Sequence, residues 1–439
     1  MKSKIKVVHL NAASAGGAYT AAQRLVEALN LGGKGIEAEH WVFEGGRGHK
    51  PSWADNIFKR LIAFGFHALE KLDFLRFEKN KSVRFAFSHG LMGVDASSWE
   101  SVQAADIIHL HWVNKGFLSF GSLEKLLALG KPIVWTCHDL WPFTGGCYWG
   151  CENIADGCGN CGMLKNPSPM DLSKRVFEKK WQLWGSESKL HLNELLVERR
   201  QSPMQFIFPS AWLMEQAKLS SISIGQHLEN IPNAIDTEFF KPADSVHRAM
   251  IRKQFGFSEN KFLLLFAAAN ISDERKGFAD FLKIVTALDH DLVEVAVVGR
   301  NDKFEGELPA HVKLLGYHSN KEIVLGFFQM ADLFVTTAKE ENLPTTIIES
   351  LSCGTPVGAY AVGGIPQMVK DGETGFLVSK GDWTAIIEKI NLFIEESQEV
   401  IMKRKHDCRD FAVRNYSSRS VVDQYVAVYK RSVPYLFND

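Results

Sequence analysis

Short apolar runs recur along the chain, each of strand length: Lys6 to Asn11, Asp106 to Trp112, Pro132 to Asp139, Gln205 to Ser210, Phe262 to Ala269, Val293 to Gly299, Ala331 to Thr337 and Val357 to Tyr360. They are nearly continuous in apolar residues rather than alternating, which predicts strands buried on both faces, as in parallel sheets. Between them lie stretches with helical spacing, such as Leu25, Ala28 and Leu29 after the first run and Phe281 to Leu288 after the fifth. Strand-length runs alternating with helices give doubly wound α/β layers. At 439 residues the chain exceeds one ordinary core and fits two such domains.

The best-defined unit surrounds residues 338–364. The run Ala331 to Thr337 predicts a strand, Asn342 a helix N-cap, Pro344 the first helical turn, Gly354 and Pro356 the stop, and Val357 to Tyr360 the next strand. Unpaired N–H groups of the first helical turn can hold a phosphate. Glu341 stands at the mouth of that opening. Glu349 would lie about 10 Å further along if the helix began at Asn342. A carboxylate that deep repels phosphate but accepts hydrogen bonds from the vicinal hydroxyls of a ribose. Two solvated helix charges would account for the same spacing.

Glu341 and Glu349, with SLSCGTPVGAYAVGGIPQMVKDGETGFLV after them, resemble the donor-site signature of family-4 retaining glycosyltransferases of the GT-B fold. The resemblance extends from Lys6 to about Tyr429 and is weaker over 57–100 and 145–200. It implies two Rossmann-like domains facing a cleft, with residues 1–235 on the acceptor side, 236–414 binding a nucleotide-sugar, and 415–439 a helix crossing back. It implies that Lys276 contacts the donor diphosphate. Family members carry an arginine about five residues earlier, where this chain has Ile271, so Arg275 is the candidate for that role. The turn Gly16-Gly17 resembles the loop beside the transferred sugar, although a tight strand–helix turn needs no ligand. His138 resembles the histidine that meets donor sugar or acceptor, and His111 is a second candidate at an equivalent strand end. Gly316 to Ser319 resembles the loop at the nucleobase. Donor binding is thus expected from Gly16, Gly17, Arg275, Lys276, Glu341, Asn342, Leu343, Pro344, Thr345 and Glu349, and catalysis from His138, Lys276 and Glu341.

In that reading the chain moves a sugar from a nucleotide-sugar to an acceptor hydroxyl, with retention and without a catalytic cofactor or metal. Asp289-His-Asp291 is the Asp-x-Asp pattern of metal-dependent transferases of another fold, but it follows a helical run and is read as a helix end. A glycan or lipid-linked acceptor of polysaccharide or cell-envelope assembly is what similar enzymes suggest. A GT-B epimerase, which needs no acceptor, and a non-catalytic zinc-containing binding module are the alternatives.

Four cysteines, Cys147, Cys151, Cys158 and Cys161, crowd an insertion over 145–165. Their spacing suits a closed structural zinc site, with buried thiols or disulfides as the other readings. Residues 57–84 hold seven Lys/Arg against three Asp/Glu, interleaved with Phe. They would form either a helix packing its Phe into a core or a peripheral contact with an anionic membrane. Residues 166–200 read as a charged helical region rich in Trp and Lys. The net charge of −1 argues against nucleic acid as a partner. No run has the length of a transmembrane helix or of a signal peptide's apolar segment, so a cytoplasmic enzyme, at most peripheral at the inner face of the membrane, is expected.

Overall fold

The computed structural model describes residues 4–32, 34–45, 51–150, 153–185, 204–301 and 308–434. The chain divides into two compact units, Met1–Pro232 with Val421–Asp439, and Asn233–Ser420.

The first unit is built on a sheet of β1 (Ile5–Asn11), β2 (Ile36–Val42), β3 (Ile107–Leu110), β4 (Ile133–Thr136), β5 (Met204–Phe208) and β6 (His227–Asn230), in the order β2-β1-β3-β4-β5-β6. Every neighbouring pair is parallel. All residues of β3 and β4 are buried, which is why these strands read as unbroken apolar runs. The order reverses between β1 and β3, so their carboxyl ends flank a switch point. Helix α1 (Gly17–Leu31) starts from the turn after β1 and buries Leu25, Val26, Ala28 and Leu29.

Helix α2 (Ile57–Phe74) is capped by Asn56, whose side chain accepts from the Lys59 N–H at 3.0 Å. It buries only Ala63, Glu70 and Phe74. Phe58, Leu61, Ile62, Phe64, Leu69 and Leu72 are exposed. The core-packing reading holds for part of this segment: Phe66 packs against the first unit's core, and Phe74 and Phe77 pack with Phe87, Cys147 and Cys161, while Phe58 and Phe64 point outward. The inward face carries the buried carboxylate of Glu70, which accepts from Ser88 Oγ and from the Gly90 N–H at 3.2 Å.

Helix α3 (Leu172–Trp184) occupies part of the region expected to be charged and helical, and residues 186–200 lie outside the described residues. Its Lys180 is buried, which the sequence reading did not foresee. The ammonium bonds the carbonyls of Trp141 and Thr144 and sits 3.7 Å over the Trp141 ring. Burial pulls its pKa down to about 7, against the opposing pull of Cys147 and Cys158 nearby.

The second unit's sheet comprises β7 (Phe262–Asn270), β8 (Val293–Arg300), β9 (Val312–Gly316), β10 (Leu333–Thr336), β11 (Val357–Tyr360) and β12 (Gly375–Val378), in the order β12-β11-β10-β7-β8-β9. Its pairs are likewise parallel. Here the switch point lies between β7 and β10. Helix α4 (Phe278–Ala287) follows β7, α5 (Thr345–Ser352) follows β10, and α6 (Gln398–Tyr416) precedes α7 (Ser418–Ser432), which carries the chain back into the first unit at Val421.

The start of α5 differs from expectation. Its N-cap is Pro344, not Asn342. A residue before proline is disfavoured in the helical region, so Leu343 ends any backward extension. Glu349 is consequently the fifth residue of α5, about 6 Å along rather than two turns. Gly354, with φ 73°, closes the helix as foreseen.

Candidate functional site

In the second unit three loops meet at the carboxyl side of the switch point. After β7, Asp273 caps the turn Glu274–Lys276 and accepts from the Arg275 N–H at 3.1 Å. The same carboxylate takes the Arg275 guanidinium, with Nη2 to Oδ2 2.7 Å, so the nearest carboxylate already orients this arginine. Gly277 follows in the left-handed region, at φ 70°, and begins α4. A Cβ there would lie 1.9 Å from the Thr337 carbonyl oxygen. Glycine thus lets the loop after β10 close onto the first, where Lys339 N donates to Arg275 O at 2.7 Å and Thr337 Oγ1 to Gly277 O at 2.9 Å.

The third loop, after β11, repeats the device. Gly364 N donates to Glu341 O at 3.1 Å, and a Cβ on Gly363, at φ 54°, would lie 1.8 Å from that oxygen. So held, Glu341 pairs with the Lys276 ammonium, the two side chains being 15% and 30% exposed. Asn342, Leu343 and Glu349 are buried beside this pair's loop and helix. Among the described residues no side-chain hydrogen bond caps α5, so its first turn presents N–H groups at the loop that pairs Glu341 with Lys276. One cation, a mouth carboxylate, an uncapped helix N-terminus and a second carboxylate inside the helix are the parts needed to hold a diphosphate and a diol.

Elsewhere in this unit, β9 ends at Gly316, and Tyr317 is exposed with the Arg300 guanidinium 5.2 Å from its ring centre. Asp289 and Asp291 lie beyond the end of α4, ahead of β8, and Asp289 Oδ1 accepts from the Asp291 N–H at 2.8 Å. They form a turn at the end of the sheet away from Lys276.

In the first unit Gly16 is the N-cap of α1 and Gly17 its first residue, both exposed and with open space where a Cβ would stand. Nothing among the described residues requires glycine at residue 17 for packing. Nearby at the strand ends is a chain of imidazoles. His138 Nε2 lies 3.1 Å from His111 Nδ1, and His111 Nε2 lies 3.0 Å from His9 Nδ1. His109 bonds Tyr429 Oη at 2.7 Å and Thr136 Oγ1 at 2.8 Å. Burial pulls the pKa of His138 down to about 4 and those of His9, His109 and His111 well below the ordinary imidazole value, so all four are neutral at pH 7. Beside them Asp139 accepts from Trp112 Nε1 at 3.0 Å and the Trp141 N–H at 2.9 Å, and burial pushes its pKa up to about 6.

His9, His109, Tyr425 and Tyr429 were not singled out as site residues from the sequence. A signal existed: Val-Val-His-Leu in β1 repeats as Ile-Ile-His-Leu in β3, and the parallel register sets His9 against His109. In the insertion, Cys147, Cys158 and Cys161 are buried, and Cys151 lies outside the described residues.

Residues 247–412 match the model of the family described as glycosyl transferases group 1. That span lies within the second unit, Asn233–Ser420. Among curated relatives, N-acetyl-alpha-D-glucosaminyl L-malate synthase of Bacillus anthracis is 25% identical over 46% of this chain and 53% of its own length. WcaC of Escherichia coli (strain K12), named for a glycosyl transferase role in colanic acid biosynthesis, is 22% identical over 90% of this chain and 92% of its own. The chain thus spans about half of the first relative and nearly all of the second. HepE of Anabaena, solved in complex with UDP, superposes with TM-score 0.60 over 97% of this chain and all of its own, at 17% identity. That likeness is one of fold, and the fold, with its two parallel six-stranded sheets, is GT-B.

Proposed function

We propose that the chain transfers a glycosyl group from a nucleotide-sugar to an acceptor hydroxyl and retains the anomeric configuration. The carrying observation is the Lys276–Glu341 pair held at the uncapped start of α5, with Glu349 inside the helix. The ligands in the HepE structures, UDP and UDP-glucose, support a donor of this class.

As the glycosidic bond breaks, negative charge grows on the diphosphate. The Lys276 ammonium and the first-turn N–H groups of α5 would stabilise it, and a diphosphate would compete with Glu341 for the lysine. Arg275 would add its charge by exchanging Asp273 for phosphate. Glu341, once released, accepts hydrogen bonds from sugar hydroxyls, and Glu349 from the ribose. These cationic and backbone donors supply the charge that a divalent ion supplies elsewhere, so the reaction is proposed to need no metal. In the first unit, His138 is proposed to meet a hydroxyl of sugar or acceptor as a neutral imidazole, beside the Gly16-Gly17 turn.

The acceptor is proposed to be a glycan or lipid-linked sugar of polysaccharide or envelope assembly, which the name of WcaC supports. The outward apolar face of α2, followed by Arg76, Lys79 and Lys81, supports a peripheral bilayer contact on the cytoplasmic side. No helix among the described residues is long and apolar enough to cross a membrane. The four insertion cysteines are proposed to hold a structural zinc.

The deciding experiment is nucleotide titration of wild type and Glu349→Ala. Loss of a charged acceptor for ribose hydroxyls should weaken UDP or its counterpart by about 1.5–3 kcal/mol, roughly ten- to a hundredfold. Equal affinity of the two proteins would remove Glu349 from the donor site and with it the reading.

A further inference from the structure

The buried histidines of the first unit are more than one residue at a strand end. His9 and His111 meet edge to edge, with ring nitrogens 3.0 Å apart, ring centres 5.3 Å apart and ring planes 20° from parallel. His111 and His138 meet in the same way, at 3.1 Å, 5.4 Å and 24°. These are near-coplanar imidazole–imidazole hydrogen bonds. Each consumes one N–H and one lone pair, and a neutral imidazole has one of each.

That arithmetic couples the rings. If His111 Nδ1 donates to His138 Nε2, then His111 Nε2 must accept from His9 Nδ1, and all three carry their proton on Nδ1. If His138 Nε2 donates instead, all three carry it on Nε2. A mixed state sets two N–H groups or two lone pairs against each other inside a buried site. Beyond His9, Tyr429 Oη stands 3.5 Å from His9 Nε2, then 2.7 Å from His109 Nδ1, which leads on to Thr136 and to Tyr425 Oη at 3.0 Å. The 3.5 Å link is long, so His109 is coupled more loosely than the first three.

Three histidines whose ligand atoms lie this close also raise a metal site. The geometry disfavours it. His109 lies over the faces of its neighbours, with ring centres 4.4 Å from His9 and 4.5 Å from His111, and both its nitrogens are taken by Tyr429 and Thr136. In-plane lone pairs of a ring lying over another do not converge with that ring's edge.

We infer that His9, His111 and His138 act as one tautomeric unit, in which the inner histidines position the proton of His138 and so fix whether its Nδ1 donates or accepts. His9 and His111 are positioning residues in this scheme, which rests on the proposed transfer only for its purpose, not for its existence. A substrate hydroxyl at His138 would then meet a ring with one defined hydrogen-bonding sense rather than a mixture. The unit holds three protons in either sense. Reversal moves two of them across the two links, while His138 Nδ1 gives one up at the strand end and His9 Nε2 takes one up on its Tyr429 side, which leaves every ring neutral.

The test reads tautomers directly. Two-bond nitrogen–proton spectra of protein labelled with 15N-histidine distinguish Nδ1–H, Nε2–H and cationic rings. In wild type at pH 7, His9, His111 and His138 should all show the same neutral tautomer. Opposite tautomers at His111 and His138, a cationic ring, or one transition-metal ion retained per chain with metal-shifted histidine signals would each overturn the inference. The wild-type spectrum needs no variant, so a misfolded mutant cannot obscure it. In variants, His9→Phe should leave His111 and His138 as tautomer mixtures and lower kcat about five- to tenfold at unchanged donor KM, whereas His9→Asn, whose amide both donates and accepts, should restore both readouts. Locked tautomers in a protein without transferase activity would uphold the unit and refute the proposed function instead.

Discussion

Acidification should unfold the first unit well before ordinary surface titration would. His138, His9, His109 and His111 have folded pKa values below the unfolded value of about 6.5. Such groups contribute stability that is complete above the unfolded pKa and is lost as pH falls below it toward the folded one, since only the unfolded chain takes up the proton. Between pH 7.5 and 5, His138, with its folded pKa of about 4, costs about 2 kcal/mol. Asp139 works the other way. Its carboxyl, raised to about 6, is destabilising when ionised, and protonating it over the same interval returns about 1 kcal/mol. The adjacent pair therefore partly cancels, and most of the net loss comes from His9, His109 and His111. Each of these is limited by the unfolded pKa to about 2 kcal/mol over this interval, so together they remove up to about 6 kcal/mol. That is comparable with the whole stability of a domain. Urea unfolding followed by tryptophan fluorescence at half-unit pH steps should show the first unit's midpoint falling steeply below pH 6.5. Among described residues the second unit has no corresponding buried histidine group, so its transition should move much less. A first-unit midpoint that is flat from pH 7.5 to 5 would refute the argument, because it would mean the imidazoles are already solvated or charged.

Further consequences can be checked separately. Gly363→Ala puts a Cβ 1.8 Å from the Glu341 carbonyl and a side chain on a left-handed backbone, so it should cost more than about 1 kcal/mol in urea and weaken nucleotide binding, while Gly17→Ala, with open space, should cost little. Lys276→Met should lower turnover by about a hundredfold or more, beyond the effect of Glu349→Ala, while initial rates with and without EDTA should match; an absolute Mg²⁺ requirement would sink the metal-free mechanism. Replacing Phe58, Leu61 and Phe64 of α2 by Ser should abolish sedimentation with vesicles containing anionic lipid and leave turnover on a water-soluble acceptor intact; unchanged sedimentation would remove α2 from the contact. Protein purified without chelator should carry about one zinc per chain, lost in Cys158→Ser, and zinc-free protein with wild-type stability would exclude the metal.

What could be read from the sequence follows how local each cause is. Parallel strands buried on both faces announce themselves as apolar runs, and β1, β3, β4, β7, β8, β10 and β11 fall where those runs are. Glu341 and Glu349 were legible because a strand, a loop and a helix follow one another directly. The N-cap of α5 was misplaced by two residues because capping chemistry at Asn342 was weighed above the restriction that Pro344 puts on Leu343. Gly277 and Gly363 could not be assigned their purpose, because what each avoids is a carbonyl in another loop, that of Thr337 and that of Glu341.

The larger misses involve polarity reversed by packing. Periodicity along α2 does not say which of its apolar residues turn inward: Phe66 and Phe74 do, beside a Glu70 carboxylate that finds Ser88 and Gly90, while Phe58 and Phe64 stay outside. Lys180 reads as one charge among many in a helix, yet its partners are carbonyls 39 and 36 residues earlier. His9 is the sharpest case. Alone it is an ordinary polar residue near a strand end, and only the register of β1 on β3 brings it to His111. Once the strands pair, a neutral ring that must donate at one nitrogen and accept at the other ties its state to its neighbour's. A property of three residues separated by more than a hundred positions then becomes a property of the one that stands at the strand end, His138.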